Sequence, residues 1–128
     1  MLLLDTCALL WLAGDQGSLS KVAREAITAD RSGLTVSAIS IFEIARKVAH
    51  GELELPLLPD QWYAETLETF AIREFAIDGR TSLAAASLPP VHRDPCDRFI
   101  IATAGIHRMP IATPDPIIRR YPDVRVIW

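Results

Sequence analysis

Short apolar runs alternate with longer mixed stretches along the chain. Leu2–Leu4, Leu34–Val36, Phe75–Ile77, Pro110–Thr113 and Val124–Ile127 are predicted strands, short and apolar enough to be buried on both faces. Between them, Ala8–Ala13, Lys21–Ala29, Ala38–His50, Gln61–Ile72, Thr81–Ser87 and Asp97–His107 are predicted helices. The punctuation agrees. Gly51 follows His50 where a helix would end, Asp60 precedes Gln61 where one would start, and Pro89-Pro90 close the stretch before them. Strands alternating with helices of this length predict a parallel sheet covered on both faces. No repeat or linker divides residues 1–128, so one α/β domain is expected.

Composition narrows the class. Half of the 128 residues are hydrophobic and 23% are charged, which suits a soluble domain with a real core. No apolar segment is long enough to cross a bilayer. No basic residue precedes the opening leucines and Asp5 interrupts them, so the start does not read as a signal peptide and a cytoplasmic protein is expected. The formal charge of −3 argues against bulk binding of polyanions, though it leaves room for a local basic rim. Cys7 and Cys96 have no C-x-x-C spacing and are expected to be free thiols in a reducing compartment.

The acids then stand out. Asp5 directly follows the first strand, inside an otherwise apolar segment, and a carboxylate buried there needs a donor, a cation or water. Asp115 follows the fourth strand, Glu43 lies near the start of the helix after the second, and Asp94 and Asp97 open the helix that feeds the fourth. Ligands in parallel sheets bind beyond the carboxyl ends of the strands, so Asp5 and Asp115 should share one edge. Each acid also has a capping reading. Asp5 could cap the helix after it, Ser40 and Glu43 fit a capping box, and Asp94-Pro95 and Asp115-Pro116 resemble an N-cap followed by proline. The set is harder to explain by caps, because converging carboxylates repel each other. A hard divalent cation such as Mg²⁺ or Mn²⁺ would supply the missing charge. His50, His92 and His107 are scattered and expected to be exposed, so zinc is not indicated.

Four stretches carry a resemblance. LLLDTCALLWL (2–12), SAISIFEIARKVAHGEL (37–53), HRDPCDRFIIATA (92–104) and IATPDPIIRRY (111–121) resemble, in this order, PIN-domain ribonucleases of the VapC toxin type. The resemblance covers essentially the whole chain. It implies a three-layer α/β/α PIN-like domain with a central parallel sheet of four or five strands. It also implies an Mg²⁺- or Mn²⁺-dependent endoribonuclease that acts as the toxin of a toxin–antitoxin pair, as a homodimer silenced by a cognate antitoxin. By position, Asp5, Glu43, Asp97 and Asp115 resemble the family's four acids, and Asp94 an additional one. Thr6 and Thr113 resemble the small polar residues that support its pocket. Cys96 stands where the pattern has phenylalanine, and no ligand is lost by that change.

On this reading Asp5, Asp97 and Asp115 bind the metal, with Asp94 as a further ligand or support, and Glu43 orients the attacking water. Arg46, Lys47 and Arg98, with Thr6 and Thr113, are the expected substrate-binding residues, and Lys47 is placed to pair with Glu43 one turn earlier. Trp11, Phe42 and Phe99 read as core or interface, and Trp62 and Tyr63 as a surface for a partner. A receiver domain would want adjacent early acids and a late lysine, and a haloacid-dehalogenase-like phosphatase would want D-x-D; both are missing. The remaining alternative is a non-catalytic module of the same fold that binds RNA or protein.

Overall fold

The computed structural model describes residues 1–128. Its centre is a parallel sheet of β1 (Leu2–Leu4), β2 (Leu34–Ser37), β3 (Arg73–Phe75), β4 (Ile111–Ala112) and β5 (Val126–Ile127), in the order β3-β2-β1-β4-β5. Six helices connect them: α1 (Thr6–Ala13), α2 (Lys21–Ala29), α3 (Ala38–Ala49), α4 (Pro59–Thr69), α5 (Gly79–Ser87) and α6 (Pro95–His107). The sheet grows outward from β1 through β2 to β3, and the chain then returns to place β4 on the other side of β1. That reversal opens a crevice beyond the carboxyl ends of β1 and β4.

The alternation of side chains along β1 divides the core. Leu2 and Leu4 join α1, α2, Ile44 of α3 and Trp62 of α4 on one face, while Leu3 joins Ile100, Ile101 and Ala104 of α6 on the other. All three leucines are buried, which is why this strand reads as a continuous apolar run. Trp62, expected at a partner surface, is core. Trp11 is half-buried against Trp128, with ring centroids 5.6 Å apart.

The middle of the chain differs most from its prediction. The helix expected to reach Ile72 stops at Thr69, and β3 runs over 73–75 rather than 75–77. The cause is the turn after Phe70. Ala71 adopts φ 51°, its N–H donates to the Glu68 carbonyl, and the Ile72 N–H donates to the Leu67 carbonyl. This is a Schellman closure, and Ile72 packs in the same apolar cluster as Leu67. The same closure ends α3 at Gly51 (φ 70°) and α6 at Arg108 (φ 52°). Only Gly51 signals it by residue type. At the other end of α4, Leu58 is the N-cap without a side-chain bond, Pro59 takes the first helical position, and Asp60 lies inside the first turn.

Ala71 is exposed and holds a left-handed conformation that disfavours a β-carbon. Ala71→Gly should therefore stabilise the protein by up to about 1 kcal/mol, even after the extra chain entropy of glycine. Urea denaturation checks this, and a destabilised variant would mean that the turn carries no strain.

Candidate metal centre

The crevice between β1 and β4 is where the acids meet. The pairing of Leu4 with Ala112 brings the residues that follow each strand side by side. Asp5 is the N-cap of α1, with Oδ1 accepting from the Ala8 N–H at 2.7 Å. Its Oδ2 accepts from the Thr113 hydroxyl, whose oxygen accepts in turn from the Asp115 N–H at 3.1 Å. Thr113 thus ties the first acid to the last. Asp115 caps a turn rather than a helix, its Oδ1 accepting from the Ile117 N–H at 2.8 Å, with a short 3₁₀ turn over Ile118–Arg120 beyond it.

The other acids arrive on helices. Asp94 is the N-cap of α6, with Oδ1 accepting from the Cys96 N–H at 2.9 Å, Pro95 at the first helical position and Asp97 in the first turn. Helix N-termini favour negative charge at both places. Glu43 lies in the second turn of α3. The capping box expected of Ser40 and Glu43 does not form, because α3 begins earlier: Ser37 is its N-cap and accepts from the Ile39 N–H at 3.2 Å. Glu43 is 6% exposed and makes neither a hydrogen bond nor an ion pair.

His92 corrects the expectation of an exposed histidine. It is buried, and its Nε2 lies 2.7 Å from Asp115 Oδ2 and 3.2 Å from Asp97 Oδ2. The Asp94 N–H donates to Nδ1 at 3.2 Å, which leaves the proton on Nε2, facing the two carboxylates. Its backbone N–H donates to the Tyr121 hydroxyl, which donates to the Pro89 carbonyl. His50 and His107 are exposed as expected.

Three of the expected substrate contacts are otherwise engaged. Arg98 donates to the carbonyls of Ala86, Leu88, Pro89 and His92 at 2.8–3.4 Å, fixing the loop that carries His92 rather than facing solvent. Thr6 is buried and donates to Ser40 Oγ at 3.1 Å, joining α1 to α3. Thr113 is buried against Asp5. Neither threonine is accessible to a substrate. Arg46 is exposed and Lys47 half-buried, and neither forms an ion pair, so the Lys47–Glu43 pair is not made. Arg93, Arg119 and Arg120 are also exposed and unpaired.

Electrostatics sets what the cluster needs. Burial raises Asp5 from 3.8 to about 6, against the lowering by Thr113 and Ala8, and Asp115 and Glu43 push it the same way as burial. Burial and then Asp94 raise Asp97 to about 7, with His92 opposing. No lysine or arginine lies within ion-pair distance of Asp5, Glu43, Asp94, Asp97 or Asp115. One histidine is the only positively chargeable partner of the group. The donor atoms fit a divalent cation: His92, Asp97 and Asp115 present theirs within 4.8 Å of one another, and so do Glu43, Asp94 and Cys96. The acids line neither the 500 Å³ cavity under α1, α2 and α4 nor the 380 Å³ cleft between α5 and α6, and Asp97 and Asp115 stay partly open to solvent.

The sequence of this chain matches the PIN domain over residues 2–124. The chain belongs to the PIN domain family. It is 32% identical over 130 residues to Ribonuclease VapC22 of Mycobacterium tuberculosis, covering 98% of this chain and 97% of that one. Among solved structures, the DNA-bound VapBC of Salmonella typhimurium matches this PIN fold with a TM-score of 0.69 at 17% identity, covering 98% and 95% of the two chains. A toxin–antitoxin complex from Klebsiella pneumoniae matches with a TM-score of 0.67 at 21% identity, covering 97% and 95%. The acidic cluster is the part of this PIN domain suited to a divalent metal.

The raised Asp5 has a consequence for stability. The fold holds a proton on Asp5 up to about pH 6, whereas the unfolded chain releases it near 3.8. That contribution is present in full below pH 3.8 and is lost as pH rises through about 6. In EDTA, Asp5→Asn should be more stable than the natural chain at pH 8, by up to about 3 kcal/mol, with the gap closing towards pH 4. Urea unfolding at both pH values measures it, and equal stability at pH 8 would show that Asp5 is not desolvated.

Proposed function

We propose that residues 1–128 act as one PIN-like domain that cleaves RNA with Mg²⁺ or Mn²⁺, as the toxin of a toxin–antitoxin pair. The observation that carries this reading is charge: five carboxylates stand around one crevice with no lysine or arginine paired to any of them. The likeness to Ribonuclease VapC22 supports RNA as the substrate, and the VapBC neighbours support an antitoxin as the partner.

Asp5, Asp97 and Asp115 would hold the cation. A divalent ion there supplies an activated water and offsets charge on the phosphoryl group being transferred. Glu43 orients the attacking water, Thr113 holds Asp5 and Asp115 at a fixed separation, and His92 does the same for Asp97 and Asp115. Arg46 and Lys47, on the helix that carries Glu43, bind phosphates of single-stranded RNA, with Arg93, Arg119 and Arg120 extending the rim. The exposed Phe42, Leu58 and Leu83 supply apolar surface for a homodimer and for the antitoxin. With RNA as its substrate, the protein acts in the cytoplasm.

The test is cleavage of a mixed RNA pool by the purified protein with Mg²⁺ or Mn²⁺, beside EDTA and Asp5→Asn. Metal-dependent cutting that falls by at least about 100-fold in the variant is expected. Metal binding without any cleavage would favour the non-catalytic binding module. Arg46→Ala should weaken RNA binding and flatten its salt dependence by about one charge's worth of slope, with the pattern of cuts unchanged. An unchanged slope would place the phosphate contacts elsewhere.

A further inference from the structure

The loop from Leu88 to Asp94 carries His92 into the crevice, yet it has little means of holding itself. Pro89 and Pro90 have no N–H to give, and one backbone–backbone bond lies within the loop, from the Val91 N–H to the Pro89 carbonyl at 2.8 Å. Arg98 holds carbonyls of this segment but can do nothing for the N–H of His92. That N–H finds its acceptor 29 positions later, in the Tyr121 hydroxyl at 2.8 Å. The same hydroxyl donates to the Pro89 carbonyl at 2.9 Å. Tyr121 is 3% exposed and belongs to the apolar cluster of Ile100, Ile101 and Ile118, so the core decides where its oxygen stands.

The stretch from Asp115 to Tyr121 therefore grips His92 at both ends. Asp115 meets the ring at Nε2, 2.7 Å away, and Tyr121 meets the backbone N–H. The stretch is itself fixed, because Asp115 Oδ1 accepts from the Ile117 N–H and the Tyr121 N–H donates to the Ile118 carbonyl. From α6, Asp97 Oδ2 lies 3.2 Å from the same Nε2, and the Asp94 N–H donates to Nδ1. His92 thus joins the turn after β4 to the first turn of α6. Asp97 and Asp115 repel each other, and a ring on an unanchored backbone would follow whichever of them moved.

We propose that Tyr121 is a positioning residue of the metal centre: its hydroxyl fixes His92, and His92 sets the separation of Asp97 and Asp115. The proposal rests on the metal-dependent reading of the crevice. The Tyr121 hydroxyl bonds to none of the acids, so it acts on them only through His92.

The experiment compares the full chain with Tyr121→Phe, which keeps the ring and removes one oxygen. In EDTA, ¹H–¹⁵N NMR should show the His92 amide exchanging at least about tenfold faster in the variant, with the ring signals of His92 shifted. Mn²⁺ affinity, measured by calorimetry, should fall roughly tenfold. RNA cleavage should fall by a similar factor at limiting Mn²⁺ and recover when Mn²⁺ is raised, with KM for RNA unchanged. Ile72→Val, in the cluster on the other face of the sheet, is the control: it should lose stability without changing Mn²⁺ affinity. Unchanged Mn²⁺ affinity in folded Tyr121→Phe, or an equal fall in Ile72→Val, would overturn the proposal while leaving the metal reading intact. A natural chain that binds no Mn²⁺ would instead overturn the metal reading, and this proposal with it. If Tyr121→Phe does not fold, the natural chain decides in EDTA. A protected His92 amide supports the Tyr121 contact, and one that exchanges as fast as that of exposed Arg93 overturns it.

Discussion

Like charges crowded into a half-buried crevice are the constraint on which the rest of this structure depends. Five carboxylates from four separate parts of the chain meet where the strand order reverses, and their mutual repulsion must be held in check by the fold. The helices do part of this. Asp5 and Asp94 each spend one oxygen on an N-cap, and Asp97 sits in a first turn, so three acids lie at positive helix ends. Capping and metal binding are therefore compatible roles. A cap engages one carboxylate oxygen and fixes the other's direction, which is what a preorganised ligand needs.

The second device is cross-linking by side-chain donors. Thr113 bonds both Asp5 and Asp115, and His92 reaches Asp97 and Asp115 with one N–H. His92 in turn is held by Tyr121 and by Arg98, whose guanidinium spans four carbonyls of the 86–92 segment. Arg98, next to Asp97 in sequence, thus serves geometry, because both its terminal nitrogens are already engaged with carbonyls. The unpaired cations, Arg46 among them, lie on exposed surface around the crevice.

What was legible in the sequence follows from which forces are local. The strands of the sheet core and the convergence of Asp5 and Asp115 come from runs of apolar residues and from the rule that loops after parallel strands meet at one edge. Asp94 and its proline announce a helix start by residue type alone. His92 could not be placed this way, since its burial depends on Tyr121, 29 positions later, and on carboxylates from two other elements. The one local hint is its position two residues before the capping acid, where Nδ1 can take the cap's own N–H. The end of α4 was illegible for a different reason: a Schellman turn usually carries glycine, and here alanine holds it, fixed by the packing of Ile72 near Leu67. Trp62 misled through composition, as a tryptophan after a proline-rich turn reads as surface until a core needs its volume.

A centre that binds cations well must be uncomfortable without them, and the distribution of donors shows where that discomfort is concentrated. Backbone N–H groups, a threonine and a histidine meet four of the five acids, yet burial still raises Asp5 and Asp97 well above the ordinary carboxyl range. Glu43 has none of these, and its carboxylate oxygens instead reach solvent at the edge of the crevice. Its helix is anchored by the Ser37 cap and by the Thr6–Ser40 bond. The cost of the crowding therefore shows where burial and neighbouring carboxylates act together, in the raised affinity of Asp5 and Asp97 for protons, which a cation shared by them would answer.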